Sequence, residues 1–258
     1  MNELANMLWV EWRKAFRSRM PLWTILGSLF MPFGVVFLIF LSKNPDVSEK
    51  LGLISAKANL IAYSATDWPA YMTLFGQVIA AGGFFFFVLA ISWVFGREFA
   101  DGTVKDLLAV PVRRSSILLA KFIVVIAWSA VLAIVILIVD LVMGVVIRLP
   151  GGSTSAILQG SRTLAIASGL VIVSILPFAL FASMGRGYLL PLGVAVIILM
   201  MANLTAVLGL GEYFPWAVPG LYTQGLPLTP VSYWVVILTG LAGMLATYWW
   251  WKYADQNR

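Results

Sequence analysis

Seven ionisable side chains crowd residues 96–116, GREFADGTVKDLLAVPVRRSS: Arg97, Glu98, Asp101, Lys105, Asp106, Arg113 and Arg114. Arg97 with Asp101, and Asp101 with Lys105, have the spacing of ion pairs on a helix. Phe99, Val104, Leu107 and Leu108 supply an apolar side. Pro111 disfavours helix at Val110, and Ser115 or Ser116 can cap the helix that follows. A short amphipathic helix of this kind can receive force from a partner, whereas a charged turn would only fix topology. Charge pattern alone leaves these two readings level. Asp140 is the other group with chemistry to offer, since an ionisable residue inside an apolar stretch is a functional candidate by default. Arg148 lies about two turns further on, so pairing or an interfacial position competes there with a proton or ion site. Gln77 and Asn203 suit either the lining of a pathway or hydrogen bonds between helices.

What is missing narrows the chemistry further. The 258 residues include no cysteine and no histidine, which removes disulfides, thiolate and imidazole metal sites, and catalytic dyads built on either residue. No G-x-x-x-x-G-K-[ST] phosphate loop occurs, so any ATP hydrolysis must take place on another chain. This chain is not expected to be an enzyme by itself.

The elements that must position these residues follow from composition. With 61% hydrophobic and 11% charged residues and a mean hydropathy of +0.96, the chain falls far below the roughly one quarter charged residues of soluble domains. Most of its apolar surface must face lipid or other helices. Six stretches are long enough to cross about 30 Å of hydrocarbon: residues 22–41, 72–95, 117–147, 163–184, 188–209 and 231–251. Helices are required there because backbone groups in lipid must be satisfied within the segment. The sequence therefore predicts a single transmembrane domain over residues 1–258. Gly185, Arg186 and Gly187 form a tight turn between the fourth and fifth spans. Phe84, Phe85, Phe86 and Phe87 go all round a helix and cannot share one face.

Lysine and arginine set the orientation. One side of six alternating spans holds Arg13, Lys14, Arg17, Arg19, Arg97, Lys105, Arg113, Arg114, Lys121, Arg186, Lys252 and Arg258; the other holds Lys43, Lys50, Lys57, Arg148 and Arg162. Twelve against five places both termini in the cytoplasm, and it makes the net charge of +6 a topology signal rather than a nucleic-acid footprint. Trp249, Trp250, Trp251 and Tyr253 then form an inner aromatic anchor, with Trp68 and Tyr71 near the outer surface. In residues 1–20, Ala5, Leu8, Trp9, Trp12, Ala15 and Phe16 recur at helical spacing opposite Glu3, Asn6, Arg13 and Arg17. That pattern predicts an interfacial helix, with Trp9 and Trp12 in the acyl boundary and Arg13 and Arg17 on anionic headgroups. The alternative is a helix packed on the protein itself.

Residues 96–121 also carry a resemblance. Gly96, Arg97, Glu98, Phe99, Asp101, Gly102, Thr103, Leu107, Leu108, Pro111, Arg113, Ile117 and Lys121 match a GRE(F/Y) … DGT … LL … P(V/I) … R … I … K pattern. The block resembles the loop between the second and third spans in permeases of the type-2 ABC exporter class, where it forms a coupling helix. The likeness extends to six spans, the N-terminal interfacial helix and residues 209–230, which include GEYFPWAVPGLYTQGLPLTP with Pro215, Pro219, Pro227 and Pro230. Members of the class place short re-entrant helices there, near the outer end of the translocation path.

The resemblance implies an all-α integral membrane protein with six transmembrane helices, an interfacial helix, a cytoplasmic coupling helix and re-entrant helices between the fifth and sixth spans. It implies ATPase coupling through Arg97, Glu98, Phe99, Asp101, Lys105, Leu107, Leu108, Arg113 and Arg114, and a pathway or outer gate at Gln77, Asn203, Phe214, Trp216 and Tyr222. Two permease subunits, this chain with a second copy or a homologous permease, would enclose one pathway in a bacterial plasma membrane. Two ATP-binding subunits, carrying ATP and Mg, would dock beneath; this chain would bind no cofactor or metal. Small extramembrane regions and sparse charge favour a hydrophobic or amphipathic cargo such as a drug or antimicrobial peptide. An ATP-independent transporter or channel using Asp140, and a non-transporting scaffold or immunity subunit, are the competing functions.

Overall fold

Apolar length and capping chemistry together place the helices. The computed structural model describes residues 3–44, 46–47 and 65–253, apart from the side chains of residues 42, 43 and 108. Lys50, Lys57 and Arg258, used above for orientation, lie outside the described residues, as does the side chain of Lys43. The helices are α1 (Glu3–Arg17), α2 (Met20–Lys43), α3 (Trp68–Val78), α4 (Phe84–Ala100), α5 (Val104–Ala109), α6 (Arg114–Val146), α7 (Thr154–Ser174), α8 (Phe178–Met184), α9 (Leu189–Val207), α10 (Val218–Thr223) and α11 (Pro230–Tyr253). No strand occurs among the described residues. Six helical segments are long and apolar enough to cross a membrane: Met20–Leu41, Trp68–Ala100, Arg114–Val146, Thr154–Met184, Leu189–Val207 and Pro230–Tyr253.

Two spans depart from regular helix. The second runs from α3 to α4 through a wider π turn, Ile79–Gly83, a local form often found at functional sites. The fourth breaks between α7 and α8, where Pro177 cannot donate to the ladder. That span also begins at Thr154 rather than near residue 163, because the Ser153 hydroxyl accepts from the Ala156 N–H at 3.2 Å and starts the helix earlier. Asp67 caps α3 in the same way, accepting from Ala70 at 2.9 Å.

The long α6 is the central post, packed against α1, α2, α4 and α7. One apolar core joins Phe87, Ile91 and Phe95 of α4 to Val125 and Leu132 of α6 and Phe178 of α8. A second, towards the other end, gathers Trp68, Tyr71 and Phe75 of α3 with Ile136 and Leu164. Without a hydrophobic drive between helices in lipid, close packing must hold them together. Gly243 shows how close: a Cβ there would stand 2.4 Å from Pro177 Cα, so α11 crosses directly over the break in the fourth span.

The aromatic assignments divide. Trp68 and Tyr71, at the start of the second span, are buried in the second core. Trp251 is buried too, whereas Trp249 and Tyr253 are exposed and stack at 5.2 Å. Phe84 and Phe87 face the core; Phe85 and Phe86 are only half-buried.

Candidate functional site

At the end of the bundle rich in basic residues, α4 stops because the chain turns through Gly102, whose φ of +71° suits glycine. Asp101 N–H donates to the Arg97 carbonyl at 2.8 Å and Thr103 N–H to Glu98 at 2.9 Å, closing the turn. The six-residue α5 then buries Val104 and Leu107 while exposing Lys105 and Asp106. Val110 is extended ahead of Pro111, as the ring requires.

The turn alters two expected local contacts. Arg97 meets Asp101 at 3.9 Å, but the break at Gly102 puts Asp101 and Lys105 on different elements, and no ion pair joins them among the described residues. Ser115 and Ser116 lie inside the first turn of α6, and Arg113 holds the capping position without a side-chain bond.

Behind α5 lies a buried ionic quartet. The Lys121 ammonium, wholly inaccessible, donates to Glu98 Oε1 at 2.8 Å and Oε2 at 2.9 Å, to Glu11 Oε2 at 3.1 Å and to the Val94 carbonyl at 2.9 Å. Lys14 donates to Glu11 at 2.8 Å and Glu98 at 3.3 Å. Two cations balance two anions, so burial leaves no net charge in low dielectric. The quartet ties α1 to both rods that flank α5. Glu98 is therefore paired in the interior and is not at the surface.

Further contacts fix this end. A Cβ on Gly96 would lie 2.8 Å from the Gly187 carbonyl oxygen, so α4 touches the turn before α9 backbone to backbone. Arg114 turns back to donate to the Trp251 carbonyl at 2.6 Å and Lys252 at 3.3 Å, closing the C-terminus of α11. Trp251 donates to the Ser183 hydroxyl at 2.9 Å and meets half-buried Phe99 edge-on at 5.7 Å. Tyr188, beside this cluster, has its phenol pushed above the ordinary value by burial first and then by Asp101. Of the residues expected at a partner contact, Asp101, Lys105, Arg113 and Arg114 are exposed, with Arg114 engaged by the Trp251 and Lys252 carbonyls.

The N-terminal helix packs one face on the protein and leaves the other open. Met7, Glu11 and Ala15 face the protein, while Trp9, Trp12 and Phe16 remain exposed. Arg13 lies over the Trp9 ring at 4.9 Å.

At the opposite end, Gln77, Asn203 and Trp216 converge on a cavity of about 100 Å³ beside the π turn, with Ala80 and Ala81 on its wall. Trp216 is positioned by a 2.8 Å bond to the Ser174 carbonyl, which is released at the helix break because Phe178 N–H turns to Ile175 instead. Phe214 packs on Trp216 at 5.3 Å. Tyr222 lines a separate hollow of about 270 Å³ with Gln159 and Thr163. Gln224 borders both hollows. Asn203 donates to the carbonyl of Leu199 at 2.8 Å, within its own helix rather than across helices.

Asp140 is buried with both carboxyl oxygens unpartnered, and no ion pair reaches it from Arg148 among the described residues. The nearby Tyr71 hydroxyl donates to the Asp140 backbone carbonyl at 3.2 Å. An unpartnered buried group costs stability, so the isosteric Asp140→Asn change is expected to leave the thermal midpoint of the detergent-purified protein level or slightly raised. A marked fall would show a carboxylate held by a favourable partner.

The quartet was the main feature that sequence reasoning passed over. Its one visible trace is Glu11, an acid on the Met7 and Ala15 face at four-residue intervals. Gln224 had no distinguishing pattern.

Residues 7–202 match the family described as ABC-2 family transporter protein. The bacitracin transport permease protein BCRB of Bacillus licheniformis is 24% identical over 168 residues, covering 64% of this chain and 81% of that protein. No solved structure matches the chain.

Proposed function

The chain belongs to the ABC-2 family of transporter proteins, and from that premise we propose that it is the membrane permease of an ATP-driven exporter whose coupling element is α5. The basic end lies in the cytoplasm, by the lysine and arginine asymmetry. Two ATP-binding subunits carry ATP and Mg and dock there, and a second permease copy completes the pathway. Exposed apolar residues along α9, including Ile197, Met200 and Leu204, suit a partner helix. Residues 209–230, with α10 packed on α7 and α3, form the outer gate above Gln77 and Asn203. The cargo is a hydrophobic or amphipathic antimicrobial compound, a class that includes the bacitracin of the relative's name.

The observation that carries this reading is a short amphipathic helix held between two spans and braced by buried charge, with Lys105, Asp106 and Arg113 outwards. A push on α5 passes to α4 through the turn at Gly102 and to α6 through residues 110–113, and the quartet ties those two helices together. The test is co-reconstitution with the copurifying ATP-binding subunit in vesicles. Reversing Lys105 and Arg113 together to glutamate is expected to lower cargo movement per ATP by about tenfold or more, as misplaced interfacial charges do, while membrane insertion persists. Unchanged coupling would remove α5 from this role, and gradient-driven transport by the permease alone would replace the exporter reading.

A further inference from the structure

We propose that the elbow between α1 and α2 is a discrete binding site for one anionic phospholipid, with its headgroup on arginines and an acyl chain in the adjoining apolar cleft. The first hollow, of about 360 Å³, is lined by Trp9, Arg13, Lys14, Arg17, Ser18 and Arg97. It presents four cations and no carboxylate. The second, of about 570 Å³, is bounded by Arg19, Met20, Trp23, Leu89, Trp93 and Tyr188. The two adjoin along the chain, since residues 17–18 line one and residues 19–20 the other. They also meet through α4, where the Arg97 guanidinium lies 4.7 Å from the Trp93 ring centroid.

Charge accounting points to an anion. Lys14 is occupied by Glu11 and Glu98. Arg97 reaches Asp101 only at 3.9 Å, and Arg13 leans on the Trp9 ring. Arg17 and Arg19 have no carboxylate partner among the described residues. Guanidinium groups converging on one elbow repel each other unless an anion lies between them, and planar guanidinium matches phosphate oxygens with paired donors. The elbow is also preformed: Ser18 Oγ donates to the Ala15 carbonyl at 2.7 Å and accepts from Met20 N–H at 3.2 Å.

The apolar cleft identifies the source of the phosphate. It sits at the ends of two spans and is walled by Trp23, Trp93 and Tyr188, the residue types that settle at a membrane–water boundary. Trp23 is 64% exposed, which suits a side chain covered by lipid. A free phosphate would leave this hydrophobic channel empty, whereas a phospholipid fills both hollows. The site goes beyond general attraction of α1 to an acidic membrane because it is built from α1, α2 and α4 together. It does not depend on the cargo or on the ATP-binding partner, so its failure would leave the exporter reading standing.

The test is native mass spectrometry of the full-length protein released from mixed micelles holding equal phosphatidylglycerol and phosphatidylcholine of matched chains. One phosphatidylglycerol per chain is expected to be retained in preference to phosphatidylcholine. Joint replacement of Arg13, Arg17 and Arg19 by glutamine should erase that preference, with about a fivefold loss for each arginine. The corresponding triple lysine variant should keep much of it, which separates lost charge from lost folding. Filling the cleft by Leu89→Trp should reduce retention of the lipid while the thermal midpoint stays within a few degrees. Equal retention of both lipids by the unaltered protein would overturn the proposal. So would undiminished preference in the glutamine variant, or displacement of the lipid by millimolar inorganic phosphate.

Discussion

Replacing Lys121 by methionine is expected to lower the thermal midpoint of the purified protein by about 6–20 °C, from a loss of about 3–5 kcal/mol. The methionine fills the space but leaves Glu11 and Glu98, each only 4% exposed, facing each other without their shared cation. Lys14, at 2.8 and 3.3 Å, cannot neutralise both. Adding Glu11→Gln and Glu98→Gln should recover most of the loss, since the remaining groups are then neutral apart from partly exposed Lys14. Differential scanning fluorimetry on the three proteins decides the matter. A midpoint unaffected by Lys121→Met would show that the ammonium is not holding α1, α4 and α6 together. If α5 is the coupling element proposed above, the same substitution should also reduce cargo movement per ATP, because the tie between α4 and α6 is gone.

Trp251→Ala should cost about 3–5 kcal/mol, the usual range for emptying a large aromatic site. The indole is wholly buried, meets Phe99 and donates to Ser183. Its backbone carbonyl accepts from Arg114. Removing the ring therefore opens a void where the sixth span, the fourth span and the end of α4 all meet. Trp251→Phe keeps most of the packing and loses the bond to Ser183, so it should cost only about 1 kcal/mol beyond the lost ring area. Equal unfolding midpoints for the phenylalanine and alanine variants would place the energy in the hydrogen bond, and a midpoint unmoved by alanine would put the indole outside the core.

The six spans were legible because twenty or so apolar residues in a row have few alternatives in a bilayer. Their ends were less legible. Ser153 extends the fourth span past a polar stretch through a single capping bond, and hydropathy is blind to such a bond. The π turn falls on IAAGG, a run with no periodicity to reveal it. Pro177 breaks a span without interrupting its apolar character. Lys121 and Glu11 are 110 residues apart in the chain, so their pairing belongs to tertiary packing and leaves no local pattern. Aromatic position was ambiguous for a similar reason: Trp251 and Trp249 look alike in sequence, yet their helix turns one into the core and the other outwards. At the opposite end, glutamine and asparagine stood out as polar residues inside spans and tryptophan through the resemblance over residues 209–230, and Gln77, Asn203 and Trp216 do share a cavity. Tyr222 does not, because α10 directs it to the other side of Gln224.

The bare contact between Gly96 and Gly187 has a mechanical result. No side chain cushions it, so displacement of α4 is delivered at the foot of α9. Of the six spans, α9 is the one with the smallest share buried against the rest of this chain. Over a rod of about 28 Å, a tilt of about five degrees carries the far tip roughly 2 Å. Asn203 lies near that tip on the wall of the small cavity, so a tilt begun at the glycine contact would reach that wall as the larger excursion.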